Sequence, residues 1–202
     1  TELHLYSLYF TSASQGFIAG GGTNPGSINF SGIILKTTDG GAQWNTVYSQ
    51  EGAECKSVFF TSSNEGYVVT SGGKILKTTD AGANWTANYT SGGVFFNAVH
   101  FTTKDTGYVA GYGSGKSLIL KTTSAGANWQ QVCSDSIGTI SDIEFSTASK
   151  GIAIGSLGKI VETSNSGNSW TAQTLHPGMR AVAKLNWNKY LLVGEKGWIY
   201  KY

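Results

Sequence analysis

Four stretches of this chain repeat one another: Leu35–Trp44 (LKTTDGGAQW), Leu76–Trp85 (LKTTDAGANW), Leu120–Trp129 (LKTTSAGANW) and Val161–Trp170 (VETSNSGNSW) align without a gap, their tryptophans 41, 44 and 41 residues apart. A period of this length constrains the fold more than any local propensity, because each unit can bury its apolar faces only against copies of itself. Upstream of each stretch a second motif recurs: Leu8-Tyr9-Phe10 with Gly16-Phe17, Val58-Phe59-Phe60 with Gly66-Tyr67, Val99-His100-Phe101 with Gly107-Tyr108, and Ile143-Glu144-Phe145 with Gly151-Ile152. A fifth, weaker copy runs from Ala183-Lys184-Leu185 through Tyr190 to Gly197-Trp198-Ile199-Tyr200. Each unit reads as four short strands, the last beginning at the tryptophan. The first two are apolar on both faces, as strands covered on both sides must be. Period and strand count together predict an all-β fold, a β-propeller of about five blades of mostly four antiparallel strands.

Composition agrees, with 28 Gly, 2 Pro, 12% aromatic and 13% charged residues. That is the signature of many tight turns between short strands. No linker or composition shift divides the 202 residues, so one domain is expected, with blades at about 3–50, 51–92, 93–135, 136–175 and 176–202. Closure is open at this stage. The fifth unit stops at Lys201-Tyr202 after its third strand and Thr1–Leu5 run almost directly into the first. The ring either closes on a three-stranded blade or belongs to something longer.

The segments Thr37-x-Asp39-x-Gly41-x-x-Trp44 and Thr78-x-Asp80-x-Gly82-x-x-Trp85 resemble the Asp-box, or BNR, repeat. The longer pattern, Phe, five residues, Gly-aromatic, then Gly-x-Ile-x-x-Thr-x-Asp-Gly-Gly-x-x-Trp, resembles the photosystem II stability/assembly-factor type of BNR propeller. The resemblance covers nearly the whole chain. It implies Asp-box turns between third and fourth strands, and most such relatives have seven blades where this sequence supplies five. It specifies function weakly, since sialidases, xyloglucanases, sortilin-type receptors and assembly factors all carry the box. In physical terms the box is structural: a short carboxylate accepts backbone N–H bonds, glycine permits a positive φ and the tryptophan fills the space between sheets. The third copy, Thr122-x-Ser124-x-Gly126-x-x-Trp129, and the fourth, Thr163-x-Asn165-x-Gly167-x-x-Trp170, have lost the acid but keep a side chain able to bond the turn. Calcium binding by these acids is not expected.

Several function classes drop out. The 14 Lys plus Arg include a single Arg, Arg180, and form no basic run, so a nucleic-acid stripe is excluded. One arginine cannot supply the three-arginine carboxylate clamp of a sialidase. His4, His100 and His176 lie in no nucleophile motif. Cys55 and Cys133 stand at non-equivalent positions, match no metal-ligand spacing and read as unpaired thiols. No cofactor or metal is expected, and no stretch reaches the roughly 18 apolar residues of a membrane helix. Low charge with high Ser, Thr, Gly and Asn content suggests an exported protein whose signal peptide has been removed.

Asp142 and Glu144 stand out, at i and i+2 on the first strand of the fourth unit and therefore on one face. Aligned with Glu144 are His100 and Lys184, where the first two units carry Tyr9 and Phe59. Three readings are open: a His100–Glu144–Lys184 network replacing aromatic packing, a polar site at the mouth of a central channel, or general acid/base work by Asp142 and Glu144 as a glycoside hydrolase. Recognition is expected on the face made by second-to-third-strand loops and inter-blade segments, where the sequence varies most. That face would carry Phe30, Lys56, Asn97, Tyr112, His176, Arg180 and Trp198. The sequence thus predicts a non-catalytic binding or scaffolding propeller for a protein or peptide partner, the alternative being a carbohydrate-binding lectin or a glycoside hydrolase.

Overall fold

The computed structural model describes residues 2–23, 30–135, 138–175, 178–187 and 189–202. The chain packs as two compact units, Thr1–Phe96 and Asn97–Tyr202. In the first unit, β1 (Glu2–Phe10), β2 (Gly16–Thr23), β3 (Phe30–Thr37) and β4 (Asn45–Glu51) form one sheet in chain order, and β5 (Cys55–Phe60), β6 (Gly66–Thr70), β7 (Lys74–Thr78) and β8 (Thr86–Thr90) form another. The third sheet holds β9 (Val94–Phe101), which begins in the last residues of the first unit, with β10 (Gly107–Gly113), β11 (Lys116–Thr122) and β12 (Gln130–Asp135). The second unit continues with β13 (Ile140–Phe145), β14 (Gly151–Gly155), β15 (Lys159–Thr163) and β16 (Thr171–Thr174), then a three-stranded sheet of β17 (Met179–Asn186), β18 (Lys189–Gly194) and β19 (Ile199–Lys201). Neighbouring strands pair antiparallel, as in β5–β6, β6–β7 and β7–β8.

Burial falls from second strand to fourth. β6 (GYVVT) and β14 (GIAIG) are buried at every residue, whereas β8 (TANYT) and β16 (TAQT) are almost wholly exposed. The β-branched and aromatic residues of the inner strands are therefore covered on both faces, and the outer strands are polar because water reaches them.

Adjacent sheets are joined by a recurring aromatic interlock. Phe17 of β2 stacks on Phe60 of β5 at 4.2 Å, and Trp85 meets both edge-on at 6.5 and 5.9 Å. In the second unit Tyr108 of β10 stacks on Phe145 of β13 at 4.2 Å, with Trp170 edge-on to both at 6.4 and 6.0 Å. The tryptophan is delivered by the turn between third and fourth strands. There the Thr78 Oγ1 accepts the N–H of Gly82 (3.0 Å) and donates to Asp80 Oδ1 (2.8 Å), which accepts the N–H of Asn84 (2.9 Å). Ser124 and Asn165 accept the equivalent N–H groups of Asn128 and Ser169 at 3.1 and 3.0 Å, so the turn survives loss of the acid. Ala81 and Ser166 adopt left-handed φ of 57° and 59°, which aims their carbonyls at the preceding sheet. Lys36 Nζ takes the Ala81 carbonyl at 2.8 Å and Lys121 Nζ the Ser166 carbonyl at 2.7 Å.

One strand departs from the expectation that inner strands are covered on both faces. Leu8 and Phe10 of β1 are 58% and 40% exposed, whereas their counterparts Val58 and Phe60 are 4% and 3%. Phe10 instead meets Trp44 of its own sheet edge-on at 6.1 Å.

Gly82 has φ +76°, and a Cβ there would lie 2.4 Å from Phe17 Cε1. Gly82→Ala is therefore expected to lose about 2–4 kcal/mol in chemical denaturation, from left-handed strain plus overpacking. Gly92→Ala, with nothing within 4 Å, should unfold near the parent midpoint.

Candidate functional site

Each sheet has two differently built ends. At one end the turn after the third strand is tied to the first hairpin: the Gly40, Ala81, Ala125 and Ser166 amides donate to the carbonyls of Ser14, Asn64, Asp105 and Ser149. At the other, the second-to-third-strand hairpin is tied to the segment entering the sheet, through Ser71 to Glu54, Ser156 to Thr139 and Glu195 to Gly178. This second, loop-bearing end is a braced scaffold for variable side chains.

In the second unit that end carries exposed Trp198, Arg180 paired to Glu195, and half-buried Tyr112. Leu157, 63% exposed on the β14–β15 turn, joins them, and sequence reasoning missed it because a single leucine among Gly and Ser gives no signal. In the first unit Phe30 is exposed at the start of β3, and Lys56 belongs to a small cluster. Its ammonium lies 3.6 Å from the Tyr6 ring centroid and 2.5 Å from Glu54 Oε2, while the Tyr6 hydroxyl donates to Glu54 Oε1 at 2.7 Å. Burial alone would raise the Glu54 pKa, but Lys56, the Tyr6 hydroxyl and His4 together hold it below its ordinary value. Tyr6 and Glu54 were not among the sequence candidates. His176 lies outside the described residues.

The polar positions on the first strands of the second unit do come together. His100 Nδ1 lies 3.5 Å from Glu144 Oε2, and the His100 ring stacks on Phe145 at 5.7 Å. The Asn97 amide, at the sheet's other end of β9, donates to the Ile140 carbonyl at 2.8 Å. Asp142 is used by the backbone: Oδ1 accepts the Ile143 N–H and Oδ2 the Val182 N–H, each at 2.9 Å. Tyr9 and Phe59, the matching pair in the first unit, make a ring contact at 5.2 Å, so an imidazole and a carboxyl replace two aromatics. Lys184 differs from the sequence alignment. β-Bulges follow Ile140 and Met179, and Lys184 pairs with Tyr190 as Phe145 pairs with Gly151, while Ala183 takes the place of Glu144. Exposed Lys184 still acts on both charged neighbours across the strands.

Burial sets the protonation of this group. It lowers the His100 pKa from 6.5 to about 4, with Lys184 adding to the effect. It raises Glu144 from 4.5 to about 7, helped by Asp142 and opposed by Lys184. Asp142 is pushed from 3.8 to about 6 by burial against the pull of its two N–H bonds. Near neutral pH the His100–Glu144 contact is thus a neutral imidazole against a carboxyl at its midpoint, not a full ion pair. Chemically the cluster can accept and donate hydrogen bonds, and Asp142 has each oxygen held by a backbone N–H.

Elsewhere, Asp80 is lowered to about 2 by the Asn84 side chain and amide and by Thr78, and Asp39 is lowered by the Gln43 amide and Thr37. These carboxylates serve the turns. Among the described residues no group of three or more His, Cys, Asp or Glu could hold a metal, and no helix is long and apolar enough to cross a membrane. Cys55 and Cys133 are free thiols, pushed by burial up to about 12 and about 11.

Residues 42–137 match the family model described as photosynthesis system II assembly factor YCF48. No curated protein sequence matches the chain. Among solved structures, one described as YCF48 bound to D1 peptide superposes with a TM-score of 0.72 at 18% identity, covering 99% of this chain and 65% of its own. YCF48 from Cyanidioschyzon merolae gives 0.71 at 18% identity over 98% and 66%. A glycoside hydrolase, the GH74 enzyme of Niastella koreensis, gives 0.72 at 20% identity over 96% and 34%. The chain therefore spans just under two thirds of the length of the YCF48 structures it resembles.

The shifted groups oppose one another in pH dependence. Glu144 and Asp142 bind protons more tightly folded than unfolded, so acidification from pH 7 to about 4 adds stability through them. His100 binds its proton less tightly folded, so acidification from pH 6.5 to 4 removes stability through it. Glu144→Gln should therefore lose stability more steeply than the parent over that window, as followed by denaturation midpoints. The His100 imidazole should titrate by NMR near pH 4, and a midpoint near 6.5 would contradict the assignment.

Proposed function

We propose that this chain, a BNR-type propeller chain resembling the photosystem II assembly factor, is a binding module that captures a peptide or protein segment on the loop-bearing end of its sheets. The observation that carries the reading is the set of exposed Trp198, Leu157 and Arg180 on backbone tied by the Ser156–Thr139 and Glu195–Gly178 hydrogen bonds. Rigid aromatic and aliphatic anchors beside one guanidinium are the side chains that dominate peptide interfaces. The structure of YCF48 with a D1 peptide, in the same fold, lends support. We read the five sheets as five blades of one propeller domain and their third-to-fourth-strand turns as Asp-box turns. We also read the protein as exported, on its low charge and polar small-residue content.

The carbohydrate reading has the GH74 likeness behind it, but hydrolysis needs two carboxyls free to face a sugar. Asp142, bonded to two backbone amides, leaves Glu144 without a partner of that kind. A scaffold that binds and does not turn over accounts better for the geometry.

Peptides selected from a displayed random library against the folded chain should lose at least about tenfold in affinity, roughly 1.4 kcal/mol, for Trp198→Ala and Arg180→Glu, read by fluorescence polarisation. A glycan array should stay silent. Turnover of a chromogenic glycoside that disappears in Glu144→Gln would replace this reading with the enzymatic one.

A further inference from the structure

The first strands carry an irregularity that recurs from sheet to sheet. β1, β5, β13 and β17 each hold one residue skipped by the pairing with the second strand: Tyr6 between Leu5 and Ser7, Lys56 between Cys55 and Ser57, Ser141 between Ile140 and Asp142, and Arg180 between Met179 and Ala181. Asn97 holds the aligned position on β9, where Phe96-Asn97-Ala98 matches Cys55-Lys56-Ser57. These are β-bulges, in which an extra residue bends the strand and re-aims its side chain. Their place is fixed as well. Lys56, Ser141 and Arg180 each stand two residues after a carbonyl that braces the loop-bearing end, those of Glu54, Thr139 and Gly178.

At these positions the backbone is constant and the chemistry is not. The residue before the bulge is buried and apolar in four sheets (Cys55, Phe96, Ile140 and Met179), and the residue two places after it is aliphatic in all five (Leu8, Val58, Val99, Ile143 and Val182). Between these fixed points the bulge itself is a phenol, an ammonium, an amide, a hydroxyl and a guanidinium. A residue needed only to blunt a sheet edge has no reason to differ in every copy. Varied side chains on a rigid repeated backbone are where recognition concentrates. The five share one property, since every one donates hydrogen bonds and none is a carboxylate. Within each unit they also run beside one another. The Lys56 ammonium lies 3.6 Å from the Tyr6 ring centroid, and the Asn97 amide bonds the carbonyl of Ile140, next to Ser141, at 2.8 Å. Lys56 pairs with Glu54 and Arg180 with Glu195, yet an ammonium and a guanidinium have more N–H donors than one carboxylate takes.

Given the reading of the loop-bearing end as a peptide site, on which this rests, we propose that the bulged residues set what that end selects, and that in the second unit Asn97, Ser141 and Arg180 take an extended acidic segment of a partner protein. Peptide carbonyls accept from the amide and the hydroxyl, and an Asp or Glu side chain accepts from the guanidinium, whose planar fork suits a carboxylate. Ser141 is the most direct place to test this, because the equivalent bulge in the second sheet already carries Lys56, so a backbone of this kind accommodates a long cation.

Peptides recovered from a displayed random library on the intact chain should be enriched in Asp and Glu over the unselected library. For a fluorescein-labelled peptide from that pool, replacing its acidic residues by Asn and Gln should weaken binding at least about tenfold by fluorescence polarisation. Ser141→Lys should tighten the same peptide at least about threefold, and Ser141→Glu should weaken it about tenfold. Ala172→Lys and Ala172→Glu, at an exposed position on β16, should leave its affinity unchanged, which separates the bulge from the effect of net charge. Thermal denaturation midpoints identify the folded variants, and Ser141→Lys alone decides the matter if Ser141→Glu does not fold. A pool without acidic enrichment, or affinity indifferent to the folded Ser141 variants, would overturn the proposal; where Trp198→Ala still weakens binding, the loop-end reading stands. A library from which nothing is recovered would overturn both.

Discussion

Contact between an aromatic ring on one sheet and a tryptophan turn on the next is the interaction on which the rest depends. A lone four-stranded sheet with two apolar faces has no stable state in water, and the interlock is how each such face finds cover. It joins three kinds of physics in one place. Ring stacking at 4.2 Å supplies area, glycine in the left-handed region lets the ring approach the backbone, and a lysine anchors the turn by its carbonyl. The cost is visible too, since the indole N–H groups of Trp85, Trp129 and Trp170 are buried without an acceptor. Edge-to-face packing on Phe60, Phe101 and Phe145 offsets that penalty.

Because the interlock sets the sheet spacing, the first strands come close enough to share side-chain bonds, and their polar residues become consequential. Ser7 Oγ accepts the Val58 N–H at 3.2 Å in the first unit, and Asp142 does the same for Val182 in the second. Seen this way, the Asp142 carboxylate is a stronger version of a structural bond. His100 and Glu144 occupy a place that Tyr9 and Phe59 fill with rings, and burial pushes both toward their neutral forms. The cluster is a polar join between sheets, whereas the loop-bearing end, where we propose recognition, exposes its side chains over a braced backbone.

Much of this was legible in the residues. The tryptophan spacing specified four-stranded units and the polar outer strands, and Thr78, Asp80 and Gly82 announced the turn that the hydrogen bonds now describe. What stayed hidden arises from geometry that carries no residue signature. Equivalent bulges follow Ile140 and Met179 and cancel, so Lys184 falls one place on because Val182-Ala183-Lys184 pairs as Ile143-Glu144-Phe145 does, a register that the fifth repeat, lacking the Phe and Gly of the others, gives an ungapped alignment nothing to anchor. Uncovered Leu8 and Phe10 look the same in sequence as buried Val58 and Phe60, since exposure is a property of what packs opposite. Glu162 stands where three other units have lysine, which the aligned repeats do show. Leu157 and the Tyr6–Glu54–Lys56 cluster depend on which loop tips face outward together.

A double-mutant cycle between Phe17 and Trp85, using Phe17→Leu and Trp85→Phe in chemical denaturation, tests the interlock most directly. The account predicts a coupling energy of about 0.5–1.5 kcal/mol between two residues on different sheets. Additive losses within about 0.3 kcal/mol would show that the two rings stabilise their own sheets independently, and would contradict it.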